Sequence, residues 1–419
     1  MRSRIRIIFF FFVAFILMVD GISFAGLAGD FSVILHPLFL TGFWLITLVF
    51  ILRLAVYSQV FLSNSKPGFI AGFYVFTGFF LAFYVPKLFY ITFLLLEFTL
   101  KLLIYPIILL EADPLPFGEF LLTGPLNIVS MLVIPLSVFS MMVVFWGMLF
   151  GRFNFKVRSS EISFKDLPPD FDGYKIIHIS DLHLGSLYGY QEKLRRAINL
   201  INKESPDLIL FTGDLVNNLA EETKGWEDLL SDLKSKDGNY AILGNHDYGE
   251  YYDWPDEKAH QENIQKLIRA HKDSGFFLLL NRSVKISRKD EDIFLAGVEN
   301  WGLPPFKQYG DLTKALQGIP DAGFTILLSH DPSHWDEEVT GRTGVHLTLS
   351  GHTHGMQFGI RIGKFRWSPI QVKYPRWVGF YQQGYQYLHV NPGLGYIGYA
   401  GRIWIPPEIS VITLKKSTS

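Results

Sequence analysis

The chain contains no cysteine among its 419 residues. This absence excludes disulfide bonds, thiolate metal ligands and a cysteine nucleophile. The chain also has no basic run, and its formal net charge is −1, so the sequence shows no sign of a nucleic-acid surface. Neither an internal repeat nor a low-complexity tract is present.

Charged residues are scarce in the first third of the chain, where only 13 of them lie within residues 1–150. Long apolar runs predict membrane helices over about 7–26, 33–56 and 127–149. A further apolar stretch, 69–111, contains Pro86 and Lys87, which allow two interpretations. The stretch is either a tight hairpin that crosses twice, or one crossing followed by a helix along the interface. The sequence therefore predicts a transmembrane region of four or five helices over 1–150.

Loop charges favour one of these topologies, because cytoplasmic loops collect Lys and Arg. The basic residues that flank the apolar runs are Arg2, Arg4, Arg6, Arg53, Lys66, Arg152, Lys156 and Arg158. The charged residues of the loop 111–120 are all acidic. If 69–111 crosses once, all these basic residues lie on the cytoplasmic side and the acidic loop lies on the other side. The charges therefore predict a multi-pass protein of the cell (inner) membrane with its C-terminal domain in the cytoplasm. Five crossings would place that domain outside.

The pattern changes at about residue 172 to short apolar runs that end in polar clusters. Strands are predicted over about 174–180, 207–213, 239–244, 324–330, 345–354 and 408–414, with helices over about 190–204 and 221–236 and a hairpin turn at 382–384. Alternation of strand and helix predicts an α/β layered sheet, which carries its chemistry at the carboxyl ends of strands. Residues 151–171 are interpreted as a linker and 172–419 as a globular domain.

Side chains that can bind metals follow these apolar runs. They are Asp181, His183, Asp214, Asn245, His330, His352 and His354. Carboxylate, imidazole and amide ligands suit Mn²⁺, Fe, Zn²⁺ or Ni²⁺, and seven ligands exceed the need of one ion, so a two-metal centre is expected. If the backbone is extended at His352 and His354, both rings face one side, and Gly351 and Gly355 allow a close approach.

Five ordered motifs resemble those of the calcineurin-like metallophosphoesterases, and in particular their membrane-anchored YkuE-type branch. The motifs are DLHLG, GDLV, GNHD, SHDP and GHTHG, and the resemblance covers about 172–415. It implies an α/β (α+β) sandwich of two mixed β-sheets flanked by helices.

The resemblance also implies roles for individual residues. One metal would be held by Asp181, His183 and His354, the other by Asn245, His330 and His352, with Asp214 bridging. His246 would contact the substrate phosphate and protonate the leaving oxygen, and Asp247 would orient His246. Related sequences often read GHTHGGQ, whereas Met356 replaces the second glycine here and is expected to narrow the substrate entrance.

The resemblance and these residues together predict a metal-dependent phosphohydrolase with two divalent ions, and the family and the membrane tether favour cleavage of a phosphodiester or pyrophosphate bond. Membrane tethering favours a lipid-linked or envelope phosphate ester as substrate, with the bilayer as the other partner. The alternatives are a phosphomonoesterase, a nucleotide or nucleic-acid phosphodiesterase, and a non-catalytic metal-binding membrane scaffold.

Several other residues match no catalytic motif. His178 is predicted to be packed inside a strand, and His260, His271 and His334 are predicted to be solvated on helices. Trp301 and the segment 391–403 are candidates for lining a substrate groove.

Overall fold

The computed structural model describes residues 2–30, 36–60, 67–110, 114–123, 128–363 and 365–417. The chain forms two compact units. The helical unit comprises Met1–Lys66 and Val75–Trp146, and the α/β unit comprises Pro67–Tyr74 and Gly147–Ser419. Lys66 and residues 111–113 of the acidic loop, which entered the topology prediction, lie outside the described residues.

The helices of the first third are α1 (Arg2–Asp30), α2 (Pro37–Val60), α3 (Pro67–Ile108), α4 (Phe117–Thr123) and α5 (Ile128–Leu149). Among the described residues, four helices (α1, α2, α3 and α5) are long and apolar enough to cross a membrane. The 42 residues of α3 form one continuous helix, which is about 63 Å long at 1.5 Å per residue. The hairpin at Pro86 and Lys87 is therefore wrong; transmembrane helices tolerate internal proline.

A buried ion pair explains why Lys87 needs no place at the interface. Asp20 of α1 is fully buried and lies 2.5 Å from the Lys87 ammonium of α3. It also accepts hydrogen bonds from the hydroxyls of Thr47 and Tyr84, at 2.5 and 2.9 Å. A charge within membrane helices is tolerated when it is paired in this way.

The α/β unit contains two six-stranded sheets and a two-stranded hairpin. Its strands are β1 (Lys156–Phe164), β2 (Lys175–Ile179), β3 (Leu208–Phe211), β4 (Asn239–Ala241), β5 (Phe276–Leu278), β6 (Arg282–Arg288), β7 (Glu291–Gly297), β8 (Thr325–Leu328), β9 (Leu347–Ser350), β10 (Ile360–Ile362), β11 (Phe365–Trp367), β12 (Gly379–Gln383), β13 (Gln386–Val390) and β14 (Glu408–Lys416). Its further helices are α6 (Gln191–Lys203), α7 (Glu227–Ser231), α8 (Glu257–Asp273) and α9 (Leu312–Leu316).

Both large sheets contain parallel and antiparallel strands and share one core, which confirms the predicted sandwich of two mixed sheets. The strand orders are β1-β14-β2-β3-β4-β5 and β12-β13-β9-β8-β7-β6. In the first sheet β2 to β5 run parallel, and in the second sheet β7, β8, β9 and β13 do. A shared core of fully buried residues, such as Leu210 from the first sheet and Leu295 and Leu349 from the second, lies between them.

Three local expectations differ from the structure. The expected linker contains β1, which pairs with β14 over its whole length. The helix expected over 221–236 is reduced to a 3-10 turn and α7, because Gly225 between them adopts a φ of +79°. The last hairpin turns at Gly384 and Tyr385, one residue later than expected, because Gln383 pairs with Gln386.

Candidate metal centre

The loops that follow β2, β3, β4, β8 and β9 meet at one edge of the sandwich. Backbone hydrogen bonds join them: Asp181 N–H donates to the Gly213 carbonyl at 2.9 Å, and His183 N–H donates to that of Asp214 at 3.1 Å. Across the two sheets, His352 N–H donates to the Asp181 carboxylate at 3.1 Å. All seven predicted ligands are brought together at this edge.

Four of the seven side chains form the first ligand set, which is buried. Potential ligand atoms of Asp181, His183, Asp214 and His354 all lie within 4.8 Å of one another. The Nε2 atoms of His183 and His354 are 3.0 Å apart, and the His354 Nε2 is 3.2 Å from Asp181 Oδ1. The Nδ1 atoms of His183 and His354 have no hydrogen-bond partner among the described residues. These rings are therefore held by packing and by what their Nε2 atoms bind.

The second ligand set consists of Asn245, His330 and His352. Asn245 Oδ1 lies 3.1 Å from His330 Nε2 and 2.9 Å from His352 Nδ1. Asp214 Oδ2 lies 3.2 Å from His330 Nε2 and 3.6 Å from His183 Nε2. One oxygen of Asp214 therefore faces a histidine from each set.

The distances between potential ligand atoms test whether these residues fit metal ions. Metal–ligand bonds of about 2.1 Å place neighbouring ligand atoms roughly 3.0 Å apart in octahedral and roughly 3.4 Å apart in tetrahedral geometry. The shortest distances between ligand atoms, from 2.9 to 3.6 Å, match these values, and all ligand atoms of the first set lie within 4.8 Å of one another. The donor set, with no thiolate, also suits borderline divalent ions. The residues thus fit divalent metal ions.

The backbone at the ligands adopts a conformation that the sequence pattern did not predict. Positive φ angles occur at Asp181 (53°), His183 (46°), Asp214 (60°), His352 (69°) and His354 (50°). The extended alternation expected for His352 and His354 is therefore wrong, because both residues lie in a tight turn after β9. The ring of His352 lies beside Asn245 and that of His354 beside His183, in the two different sets that the resemblance implies. Such strained residues persist where surrounding structure determines them, commonly at functional sites.

Gly351 confirms the expected close approach beside these histidines. A Cβ atom at this position would lie 1.9 Å from Ser180 Oγ and 2.4 Å from Asp181 Oδ2. Any larger residue would push the β9 loop away from the first ligand set.

Burial and the carboxylates determine the protonation of the histidines. Burial lowers the pKa of His183 well below its ordinary value and that of His352 to about 4, which keeps both rings neutral and able to bind metal. Burial would also lower the pKa of His330, but the neighbouring Asp214 carboxylate raises it to about 10. Metal binding at His330 must therefore displace a proton.

His246 belongs to neither ligand set, although it lies beside both. Its backbone N–H donates to Asp214 Oδ1 at 2.9 Å, and its Nδ1 lies 2.8 Å from the Asn217 carbonyl oxygen. Since a carbonyl only accepts, Nδ1 carries the proton, and Nε2 is the ring atom left for a substrate.

Among the described residues, the Asp247 carboxylate bonds to backbone groups and forms no hydrogen bond with the His246 ring that the resemblance expects it to orient. The carboxylate accepts backbone N–H groups of Asp214, Leu215 and Gly244 at 2.8, 2.8 and 2.9 Å. Through these contacts Asp247 fixes the loop that carries Asp214. The ring of His246 is oriented by the Asn217 carbonyl.

Three further residues that no sequence motif marked support the site. The Tyr374 hydroxyl lies 2.8 Å from His352 Nε2, and Asn245 Nδ2 donates to the Tyr251 hydroxyl at 2.8 Å. Such outer contacts orient metal ligands. Tyr251 follows GNHD closely in sequence, but only the fold brings Tyr374 to His352.

Glu222 is the third of these residues and is buried. Its carboxylate accepts the backbone N–H groups of Gly185 and Asn217 at 3.1 and 2.7 Å, and those of Asn218 and Leu219 at 3.0 and 2.9 Å. It therefore ties the loop after His183 to the loop whose Asn217 carbonyl holds His246.

The remaining polar residues lie outside the centre. His178 is packed as predicted, and its Nδ1 lies 2.8 Å from Nδ1 of His389. The prediction that His260, His271 and His334 are solvated is wrong, because all three are buried. The ring of His334 stacks on that of Trp301, which is itself buried. Met356 adopts a φ of 52° and is half-exposed.

Comparisons with known proteins identify the family of the chain. A family model described as calcineurin-like phosphoesterase matches residues 174–356. The metallophosphoesterase YkuE of Bacillus subtilis is 34% identical over 256 residues, which cover 60% of this chain and 82% of YkuE. A transmembrane protein with metallophosphoesterase domain from Danio rerio is 30% identical over 269 residues, 62% of this chain and 58% of that protein.

Among solved structures, the phosphopantetheinyl hydrolase PptH of Mycobacterium tuberculosis aligns with 48% of this chain and 89% of its own. With 12% identity and a TM-score of 0.29, this similarity bears on no argument about the site. The sequence relatives and the family model suffice: the chain belongs to the calcineurin-like metallophosphoesterase family.

Proposed function

We propose that the chain is a membrane-anchored hydrolase that cleaves a phosphodiester or pyrophosphate bond with two divalent metal ions. The observation that carries this proposal is the position of Asp214 Oδ2, within 3.2 Å of His330 and 3.6 Å of His183. One carboxylate shared by two ligand sets is the arrangement of a two-metal centre. The donor set suits Mn²⁺, Fe, Zn²⁺ or Ni²⁺.

When bound, two such ions neutralise the phosphate charge and lower the pKa of an attacking water. The chain supplies the rest of the chemistry. His246, held through Nδ1 by the Asn217 carbonyl, presents Nε2 to the leaving oxygen and gives it a proton. Burial lowers the pKa of His246, whereas the Asp214 carboxylate opposes this effect. An anionic substrate would favour the protonated ring in the same way. A scaffold that only binds metal has no use for this residue.

A connection to a membrane helix supports a lipid-linked substrate. Gly395 N–H donates to the Asp181 carbonyl at 2.8 Å, and the fully buried Arg402 donates from Nε to the Gly395 carbonyl at 2.9 Å. The backbone N–H of Arg402 donates to the carbonyl of Gly147 at 3.1 Å, within the candidate span Leu132–Phe153. A metal ligand is thus linked to a membrane helix by one buried arginine.

The test is an activity panel on the full-length, metal-loaded protein in lipid nanodiscs. Substrates are bis(p-nitrophenyl) phosphate, p-nitrophenyl phosphate, and one diester and one pyrophosphate, each with and without a lipid chain. The proposal expects cleavage of diesters or pyrophosphates, and a higher kcat/KM for the lipid-linked member of each pair. Faster cleavage of the monoester would make the protein a phosphomonoesterase, and equal rates with and without lipid would contradict a lipid-linked substrate.

We also propose four crossings with the active domain in the cytoplasm. Arg152 and Arg158, two of the basic residues behind this orientation, also bind Tyr396 and Glu408, so the orientation requires a direct test. Cysteines are introduced singly at Pro114 and Ser159 in the cysteine-free chain, and sealed cells receive a membrane-impermeant thiol reagent. Labelling at 114 only is expected, and labelling at 159 in sealed cells would place the domain outside.

A further inference from the structure

The hairpin formed by β10 and β11 has one apolar and one basic face. Its register pairs Ile360 with Trp367 and Ile362 with Phe365, while Arg361 pairs with Arg366. Cross-strand partners lie on the same face of a hairpin, and faces alternate along each strand. One face therefore carries four apolar side chains and the other carries two arginines.

The basic face of the hairpin packs on the protein, and its apolar face is exposed. Arg361 donates to the Glu408 carboxylate at 2.6 Å, and Arg366 donates to the carbonyls of Val378 and Phe380, so the basic face packs on the α/β unit. On the other face, Ile362 is 73% exposed and Phe365 is 62% exposed. A sheet with one solvated face normally turns its apolar face to the core. Here the apolar face points outward.

Two aromatic residues extend this apolar face. The ring of Phe358 lies 6.2 Å from that of Trp367 and 6.5 Å from that of Trp404. Trp404 is 48% exposed and has a φ of +59°, a conformation that bulky residues rarely adopt. We name Phe358, Ile362, Phe365, Trp367 and Trp404 the hairpin surface. Contiguous exposed apolar patches of this kind mark interaction sites.

The hairpin surface is continuous with the end of a membrane helix. Trp404 follows Ile403, whose N–H donates to the Gln357 carbonyl at 2.7 Å, directly before Phe358. A Cβ atom at Gly147 of α5 would lie only 2.8 Å from Ile403 Cγ1. Gly147 belongs to the candidate span Leu132–Phe153. The aromatic side chains thus begin where a membrane helix ends, and Trp is enriched at membrane–water interfaces.

We propose that the hairpin surface inserts into the interfacial layer of the bilayer that holds the chain's own helices. Because Arg361 and Arg366 are engaged by the protein, insertion depends on apolar burial and requires no anionic lipid. The inference goes beyond the proposed function, since it does not depend on which bond is cleaved.

The test uses single cysteines at Ile362 and Phe365, labelled with a nitroxide in the full chain in phosphatidylcholine nanodiscs. Collision rates are measured with oxygen, which concentrates in the bilayer, and with a water-soluble nickel chelate. Leu45 of α2, 56% exposed, is the matched membrane control, and Phe277 of β5, 63% exposed, is the matched water control. The control at 45 also shows whether the helices themselves are embedded, independently of catalysis.

The proposal expects the oxygen-to-nickel ratio at 362 and 365 to rise well above that at 277 and towards that at 45. A ratio equal to that at 277 would mean that the hairpin surface faces water, which would overturn the proposal. Low collision rates with both reagents would mean that a second copy or another protein covers it, which would overturn the proposal equally.

Discussion

The two units of the chain each bury a carboxylate, and the partners of these two carboxylates differ. Asp20 of the helical unit has a lysine at 2.5 Å and accepts hydrogen bonds from two hydroxyls. Asp214 of the α/β unit has two histidines at 3.2 and 3.6 Å instead of a lysine. The charge of Asp20 is thus balanced inside the helices, whereas the histidines around Asp214 are positioned to share it with a metal ion.

The backbone shows the same difference. Asp20 lies on the regular helix α1. Among the described residues, non-glycine residues with positive φ all lie between Asp181 and Trp404, and Asp214 is one of them. A buried charge on a regular element with a complete set of partners has a structural role. A buried carboxylate on strained backbone, placed between histidines of two potential ligand sets, indicates a binding site.

Replacing each of the two carboxylates tests this contrast most strongly. Asp214→Ala removes the ligand shared by both sets, so it should lose both metal ions and reduce hydrolysis to background. Asp20→Asn should keep metal content and activity, because it touches no metal ligand. Elemental analysis and an ester hydrolysis assay measure both variants, and an Asp214→Ala protein with two bound ions would refute the bridging role.

His246 is expected to give the next largest effect. His246→Ala should keep both metals and lower kcat by roughly 10²- to 10⁴-fold on substrates with poor leaving groups, because general acid help is lost. The loss should be smaller on a nitrophenyl ester, which needs no protonation of its leaving oxygen. An equal loss on both substrates would assign His246 to phosphate binding instead.

The lysine of the helical unit offers a test of stability. Lys87→Met should destabilise the helices by about 3 kcal/mol, because it removes the cation that pairs with the buried carboxyl group of Asp20. The double variant Asp20→Asn, Lys87→Met removes both charges and serves as the matched control. The free energy of unfolding in detergent is measured for the single and the double variant. Equal values for the two would argue against a buried ion pair.

Glu222 should give the smallest effect of the four, through the position of His246. Glu222→Gln replaces an acceptor of several N–H groups by a group that also donates, and should lower kcat by roughly 10- to 100-fold. Its effect should have the leaving-group dependence of His246→Ala and should not add to that variant's loss. The neighbouring Glu221→Gln, at an exposed position, is the control. If the losses in kcat of Glu222→Gln and His246→Ala multiplied fully in the variant that carries both changes, Glu222 would have a purely structural role.

The sequence predicts much of the site because each metal-binding side chain follows a short apolar strand. Parallel strands bring their carboxyl ends to one edge, so Asp181, Asp214 and Asn245 could be placed together without a structure. The helix α6 was predicted within one residue at each end, because its buried side chains recur with helical spacing.

The parts that were not predictable depend on contacts between distant segments. The strand β1 consists of mostly exposed residues and exists because β14 pairs with it. Glu222 accepts backbone N–H groups of a loop, and the helix that the local pattern of 221–236 predicts is interrupted at Gly225, where φ is +79°. The histidines at 260, 271 and 334 are buried by neighbours that no local pattern reveals.

The metal content of the wild type and of Asn245→Ala most directly tests the claim that two ligand sets share Asp214. Asn245 belongs only to the second set, where its Oδ1 lies within 3.1 Å of both histidines. After loading with Mn²⁺ and removal of free metal, the wild type should retain about two ions per chain and Asn245→Ala about one. Retention of no more than one ion by the wild type, or of two by Asn245→Ala, would contradict the account.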